Sequence, residues 1–537
     1  MGSGMVESNF EPSLWSNYFI DYELKPLQRS EKWMRKRAEK LKEDVLTQLE
    51  DCEDMQERMN LVDAIQQLGV DHLFKKEIDN ALKDIHTSEF NSSSLHEVAL
   101  RFRLLREHGL WVSPDVFNKF RGDDGRLSDV IAEDTRGLLS LYNAAHLLIH
   151  GEPELEEAIS FARHHLQSMS SVDPILAAQV SRSLHTALPR TSKRLGTLQF
   201  MSEYEQQEGF NGILLELAKH DFNLLQNLHL KELKYFSGWW RDLYRHVGLN
   251  YARDRAVEGY LWSYLAFYES GLQAVTRIFF AKMILLVTML DDTFDSHATF
   301  QECRQLNSAI QSWDVSAVTL LPEYLKRFYT TLLSNFQELE DQATDIDKYR
   351  VACTKKELQK LSSYYIQEAE WVHQRHKPPF GDQINLSAMT SVVPLLSVSG
   401  TIGMGEALTK EAFEWAASRS AVTMASSKIG RFMNDIAAMK RGRNRGDVAS
   451  SVECYMNEHK VPVEDAISKI ESLVEDNWRT LNQARFDDDT TLLPLVEQAV
   501  DVTASMSFFY EDRKDAYTFA TALQETIESL FVNPVPI

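Results

Sequence analysis

From Thr276 to Leu290 the chain offers almost no polar side. Ile278, Phe279, Phe280, Met283, Leu285, Leu286, Val287, Met289 and their neighbours cover nearly every direction around a helix axis. A surface helix keeps one apolar stripe, so a helix apolar all round belongs in the middle of a bundle. The most apolar run, Ala281 to Leu290, holds Lys282 and Thr288 and reads as too short to span a bilayer. The same three-to-four spacing recurs at Leu95, Val98, Phe102 and Leu105, and again after Pro153, where acids follow the proline as a helix N-terminus prefers. Glycine (22) and proline (14) are sparse, and no alternating strand or hairpin pattern is present, which predicts an all-α chain. No fixed-period repeat supports a solenoid.

At 537 residues the chain is long enough for two helical domains. The polar stretch Ser202 to Gly209, ahead of a fresh apolar helix near Phe210, places the division near residue 215. Residues 1–4 read as an expression remnant, 5–215 as an N-terminal helical domain and 216–537 as a C-terminal one. The segment after Met5 has early acids and no apolar core, so neither a signal peptide nor a transit peptide is expected. Cys52, Cys303, Cys353 and Cys454 are far apart, which fits a reducing compartment, the cytoplasm, rather than a disulfide framework or zinc site. A net charge of −22 excludes a general nucleic-acid binder. It does not exclude small anions, because basic residues gather locally between Arg241 and Arg255 and between Lys440 and Arg445.

Three places carry chemistry. Directly behind the apolar helix stand Asp291, Asp292 and Asp295. Asp291 and Asp295 are one helical turn apart, so their carboxylates share a face and repel unless a hard cation such as Mg²⁺ compensates. Arg253 and Arg255 follow Asn250 in a stretch that can loop, which would let both planar forks converge on one phosphate. Arg431, Asn434 and Asp435 fall at i, i+3 and i+4 at the end of a largely apolar helix, pairing a phosphate fork with oxygen ligands.

The order and spacing of "NFEPSLWSNYF", RDR at 253–255, DDTFD at 291–295 and "RFMNDI…RGDVASSVECYM" resemble plant class I terpene synthases, closest to the cytosolic sesquiterpene type, over essentially the whole chain. The resemblance implies a C-terminal class I bundle and an N-terminal α-barrel of class II kind. The latter lacks the DxDD acid that class II activity needs, since "DIDK" at 345–348 is incomplete and in the wrong domain. It implies a monomer that uses three Mg²⁺ ions, with Mn²⁺ as the alternative, to ionise farnesyl diphosphate and cyclise it, without nucleic acid or membrane insertion. Asp291 and Asp295 would be metal ligands, with Asp292 supporting them. Arg253, Arg255 and Arg431 would grip the departing diphosphate. Trp262, Tyr510, Asp515 and Tyr517 would line the cavity and its lid. Ser397, Val398, Ser399 and Gly400 would mark a helix break that turns carbonyls towards a cation. Residues 8 to 25 would cap the site.

One motif departs from the family. Its second metal motif reads Asn or Asp, then Ser or Thr four later and Glu eight later; here those positions hold Asn434, Ala438 and Gly442. A water can stand in for the hydroxyl, but the lost Glu removes an anionic ligand. Either a third ion binds weakly through Asn434, phosphate oxygens and waters, or Lys440, Arg441 or Arg443 substitutes for its charge, or turnover is impaired. A chain-elongating prenyltransferase would carry a second DDxxD, which is absent, and a helical scaffold gives no reason for the three polar motifs to meet.

Overall fold

The structure, a computed structural model, describes residues 10–23, 29–169, 173–405, 408–441, 449–487 and 489–537. Among them helices carry the fold, and the only β pairing is one isolated bridge between Arg121 and Leu127. The chain forms two compact units. One comprises Met1–Leu24, Gln226–Trp478 and Asp501–Asn533; the other comprises Lys25–Leu225, Arg479–Val500 and Pro534–Ile537. Each draws on separate stretches of chain.

In the second of these units the helices Leu95–Glu107 and Pro153–Ser168 form where the apolar spacing places them, the latter with Pro153 in its first turn. Arg106 is fully buried there, and its guanidinium donates to Glu152 at 2.6 and 2.7 Å and to the carbonyls of Val112 and Leu147. A buried charge persists only when matched this fully.

The other unit is built on the helix Leu272–Asp292, which is buried along nearly its whole length. Together with the turn after it, this helix is long and apolar enough to cross a membrane, longer than the apolar run alone suggested. Yet 67% of its most apolar stretch is buried within the protein, as a core helix must be. Its first turns are tied down by Arg277, fully buried, which pairs with Glu232 at 2.7 Å and donates to the carbonyls of Phe267 and Glu269. Against it pack Ala256–Ala266 and Val393–Ser399, and Asp345–Gln374 and Ala421–Arg441 pack in turn on Val393–Ser399. Close approach needs small residues at the contacts. A Cβ on Gly259 would stand 2.9 Å from Leu285, and one on Gly430 would stand 2.6 Å from the sulfur of Met506. The "DIDK" string is the first turn of Asp345–Gln374, capped by Thr344, with Asp347 paired to Arg350.

Candidate active site

Asp291 and Asp292 end the α-helical part of the core helix, and Thr293–His297 continues it as one π turn. The Ala298 N–H closes that turn on the Thr293 carbonyl at 2.9 Å. Single π turns recur at functional sites, and this one keeps Asp291 and Asp295 close to one turn apart. Tyr251 braces it, stacking on His297 at 3.7 Å between ring centroids and bonding Thr293 Oγ1 at 2.9 Å.

Arg253 closes on this acidic end. Its backbone N–H donates to Asp292 Oδ2 at 2.7 Å, and Nη2 reaches both Asp291 Oδ2 and Asp292 Oδ1 at 2.9 Å. Nη1 donates to Thr518 Oγ1 at 3.0 Å. Burial pushes the Asp292 carboxyl up, and Arg253 opposes that shift. Arg255 is placed differently. It is fully buried and donates to the carbonyls of Tyr517, Thr518 and Glu11 at 2.8 to 3.0 Å, so in this state it holds the two chain segments that flank the site.

The opposite wall comes from Ala421–Arg441. Arg431 donates to the Ser387 carbonyl, to Thr390 Oγ1 and to Asn434 Oδ1, and Asn434 Nδ2 donates to the Tyr510 hydroxyl at 3.2 Å. Thr390 Oγ1 donates in turn to Glu368 Oε1 at 2.7 Å. Burial pushes Asp295 well above the carboxylate range, and Asp291 and Glu368 add to the push while Arg431 opposes it. Asp295 is nevertheless exposed to solvent. Glu368, buried, is pushed up to about 7 for the same first reason. Asp435 turns away to accept the Ser451 N–H at 2.7 Å.

Oxygen donors in excess of local positive charge suit a hard divalent cation. Among the described residues no three or more His, Cys, Asp or Glu side chains are grouped to hold a metal ion by themselves. A hard cation at this site would need waters or ligand oxygens to complete its shell.

Beside the acids lies an aromatic wall. Trp262 stacks on Phe509 at 4.4 Å and meets Tyr517 edge-on at 5.3 Å. The Tyr517 hydroxyl bonds Thr288 Oγ1 at 2.8 Å, one turn before Asp292. Asp515 accepts the Thr518 N–H at 2.9 Å and lies 3.6 Å from Arg441, whose guanidinium sits over Phe519.

Comparison with known proteins agrees with this geometry. The pattern described as "Terpene synthase, N-terminal domain" matches residues 14–184, and "Terpene synthase family, metal binding domain" matches residues 241–480. The chain is 48% identical to tau-cadinol synthase of Zea mays over 537 residues, covering 98% of both chains. The chain belongs to the terpene synthase family. Alpha-copaene synthase of the same plant is also 48% identical, over 98% of this chain and 99% of its own. The crystal structure of isoprene synthase from grey poplar, in complex with three Mg²⁺ ions and dimethylallyl-S-thiolodiphosphate, superposes with a TM-score of 0.87. It is 29% identical and covers 94% of this chain and 98% of that one.

This terpene synthase therefore gathers Arg253, Asp291, Asp292, Asp295, Arg431, Asn434 and Tyr510 around one space, with Trp262 and Tyr517 beside them. It does not bring Ser399 and Gly400 there. Both are fully buried, and the turn after them packs on Thr276, whose Oγ1 donates to the Ile402 carbonyl at 2.7 Å. Sixteen helical residues separate Thr276 from Asp292, roughly 24 Å at 1.5 Å per residue. Ser397 is half-buried on the same short helix. The break that reaches the site lies earlier, between Phe380–Thr390 and Val393–Ser399, where Val392 adopts a left-handed φ of 70°. Small residues at 397–400 looked like a break, but a β-branched residue makes the real one. Pro394, in the first turn of the second helix, was the signal for it. Glu368 and Thr390 also escaped the sequence reading. Gly442 and Arg443 lie outside the described residues; Ala438 is half-buried and Lys440 is exposed.

Proposed function

We propose that this terpene synthase is a Mg²⁺-dependent sesquiterpene synthase that ionises farnesyl diphosphate and cyclises the resulting cation to a hydrocarbon or alcohol, releasing diphosphate. The observation that carries the reading is the excess of carboxyls at Asp291, Asp295 and Glu368, facing Arg431 across a space walled by Trp262, Phe509 and Tyr517. The relatedness to maize tau-cadinol and alpha-copaene synthases supports the fifteen-carbon substrate.

In this reading Asp291 and Asp295 would hold metal on one wall, with the Glu368 charge behind them, and Asn434 would offer an oxygen on the other. Bound Mg²⁺ supplies Lewis-acid stabilisation of the leaving diphosphate. Arg253 and Arg431 bind its oxygens with planar forks. Trp262 and Tyr517 present ring faces to positive charge, and the surrounding apolar side chains exclude water that would quench it. Tyr510, bonded to Asn434, sits where the two walls meet. The reading takes the enzyme as a cytoplasmic monomer, in keeping with its scattered free cysteines.

Incubation with farnesyl diphosphate or geranyl diphosphate plus Mg²⁺, followed by gas chromatography, tests it. Fifteen-carbon products formed faster than ten-carbon ones are expected. Preference for geranyl diphosphate, or no diphosphate release from either, would overturn the proposal.

A further inference from the structure

The amino-terminal segment is docked by a series of polar and aromatic contacts on the same unit. Phe10 lies under the Arg253 guanidinium at 5.3 Å, and the Glu11 carbonyl accepts from Arg255 at 3.0 Å. Glu11 Oε2 accepts from Thr521, and the Tyr22 carbonyl accepts from Lys234. Between these ties, Trp15 and Phe19 insert into the core, 5% and 1% exposed. Three polar atoms beneath the segment remain unmatched. Trp15 Nε1 has no hydrogen-bond partner, and neither oxygen of the wholly buried Glu258 has one. Buried donors and acceptors are nearly always paired, so an orphan donor beside an orphan carboxyl asks for an explanation.

Glu258 lies on the first turn of Ala256–Ala266, one turn before Trp262 and directly after the RDR stretch. Facing it are Arg255 and Asp254 from its own approach, Trp15 from the amino-terminal segment and Tyr517 from the carboxy-terminal loop. Burial pushes its carboxyl up to about 7, and its own backbone N–H, Arg255 and the Trp15 indole pull against that while Asp254 adds to the push. Trp15 is thus near enough to act on the acid without holding hydrogen-bond geometry. Nothing in the proposed chemistry uses Glu258.

We propose that Glu258 is a positioning residue: its buried carboxyl is the acceptor for the indole N–H of Trp15, and through that pair the docked amino-terminal segment is held over Arg253 and Arg255. The role rests on the site reading given above, because holding the segment matters only if those arginines handle the substrate. It also explains why a carboxyl is kept in an apolar place. A Leu there would pack equally well but could not accept the Trp15 indole N–H.

Hydrogen exchange of residues 10–23 in the full chain without substrate, for Trp15→Phe, Glu258→Leu, Glu258→Gln and the Trp15→Phe/Glu258→Leu double variant, tests the pair. Trp15→Phe and Glu258→Leu should each raise exchange about tenfold, the double variant no further, while Glu258→Gln, which keeps an acceptor, stays within about twofold of the natural chain. Turnover should fall with Trp15→Phe and Glu258→Leu and recover with Glu258→Gln. Multiplied effects in the double variant, or unchanged exchange in Trp15→Phe, would overturn the proposal. If Glu258→Leu fails to fold, the contrast between Trp15→Phe and Glu258→Gln still decides. Exchange is read without substrate, so failure here would leave the farnesyl diphosphate reading standing.

Discussion

Arg253 is the residue on which the acidic end of the core helix most depends. Removing it would leave the buried Asp292 carboxyl without its charged partner, a loss that costs about 3–5 kcal/mol at buried pairs. Denaturant unfolding of Arg253→Ala should show that drop. Asp295 behaves oppositely, because without metal burial and the Asp291 and Glu368 carboxylates act on it more strongly than Arg431 does. Asp295→Asn should raise the melting temperature of the ligand-free protein while lowering turnover by on the order of a hundredfold or more. A lower melting temperature would contradict the crowding. Glu258 gives a pH signature. Its folded value of about 7 lies above its ordinary 4.5, so the folded state binds the extra proton between those limits. Its stabilising contribution is complete below about pH 4.5 and lost as pH rises through 7, and Glu258→Gln should remove that decline from a pH series of unfolding measurements. At this scale RDR, DDTFD and RFMND were legible because each gathers charged side chains within a few residues. Glu368 was not. It is one acid among many on a long helix, and only packing against Arg431 and Thr390 distinguishes it.

At the scale of elements, the break before Val393 and the second metal motif are the informative features. Left-handed φ costs a β-branched residue roughly 1–2 kcal/mol, which glycine avoids. Val392→Gly should therefore be close to neutral in unfolding free energy, despite losing a half-buried side chain. A loss above roughly 2 kcal/mol would show that the valine side chain, not the backbone, holds the break. In the second motif, Gly442→Glu restores an anionic ligand eight residues after Asn434. Turnover measured against Mg²⁺ concentration should reach half its maximum at lower Mg²⁺ in that variant, and an unchanged requirement would exclude a weak third ion as the cause of any metal demand. Helix identity was readable from apolar spacing, since every core face repeats at helical period. The position of a break was not, because it depends on one backbone angle.

For the whole molecule, apolar periodicity and scarce glycine and proline were enough to exclude sheets, and an all-round apolar helix was enough to require a bundle around it. The units themselves were not legible as stretches of sequence, because residues 10–23 and 501–533 join a unit whose main part begins at 226. Contacts at long range decide that, and local pattern does not encode them. In the proposed function, distant acids and arginines make one metal–diphosphate site. Thermal unfolding with and without Mg²⁺ plus inorganic diphosphate, in the natural chain and in Asp295→Asn, tests it most directly. Ligand at a hundred times its dissociation constant stabilises by about 2.7 kcal/mol, so the natural chain should melt higher with both present, and Asp295→Asn should show little of that gain. No shift in the natural chain, or an equal shift in Asp295→Asn, would contradict the claim.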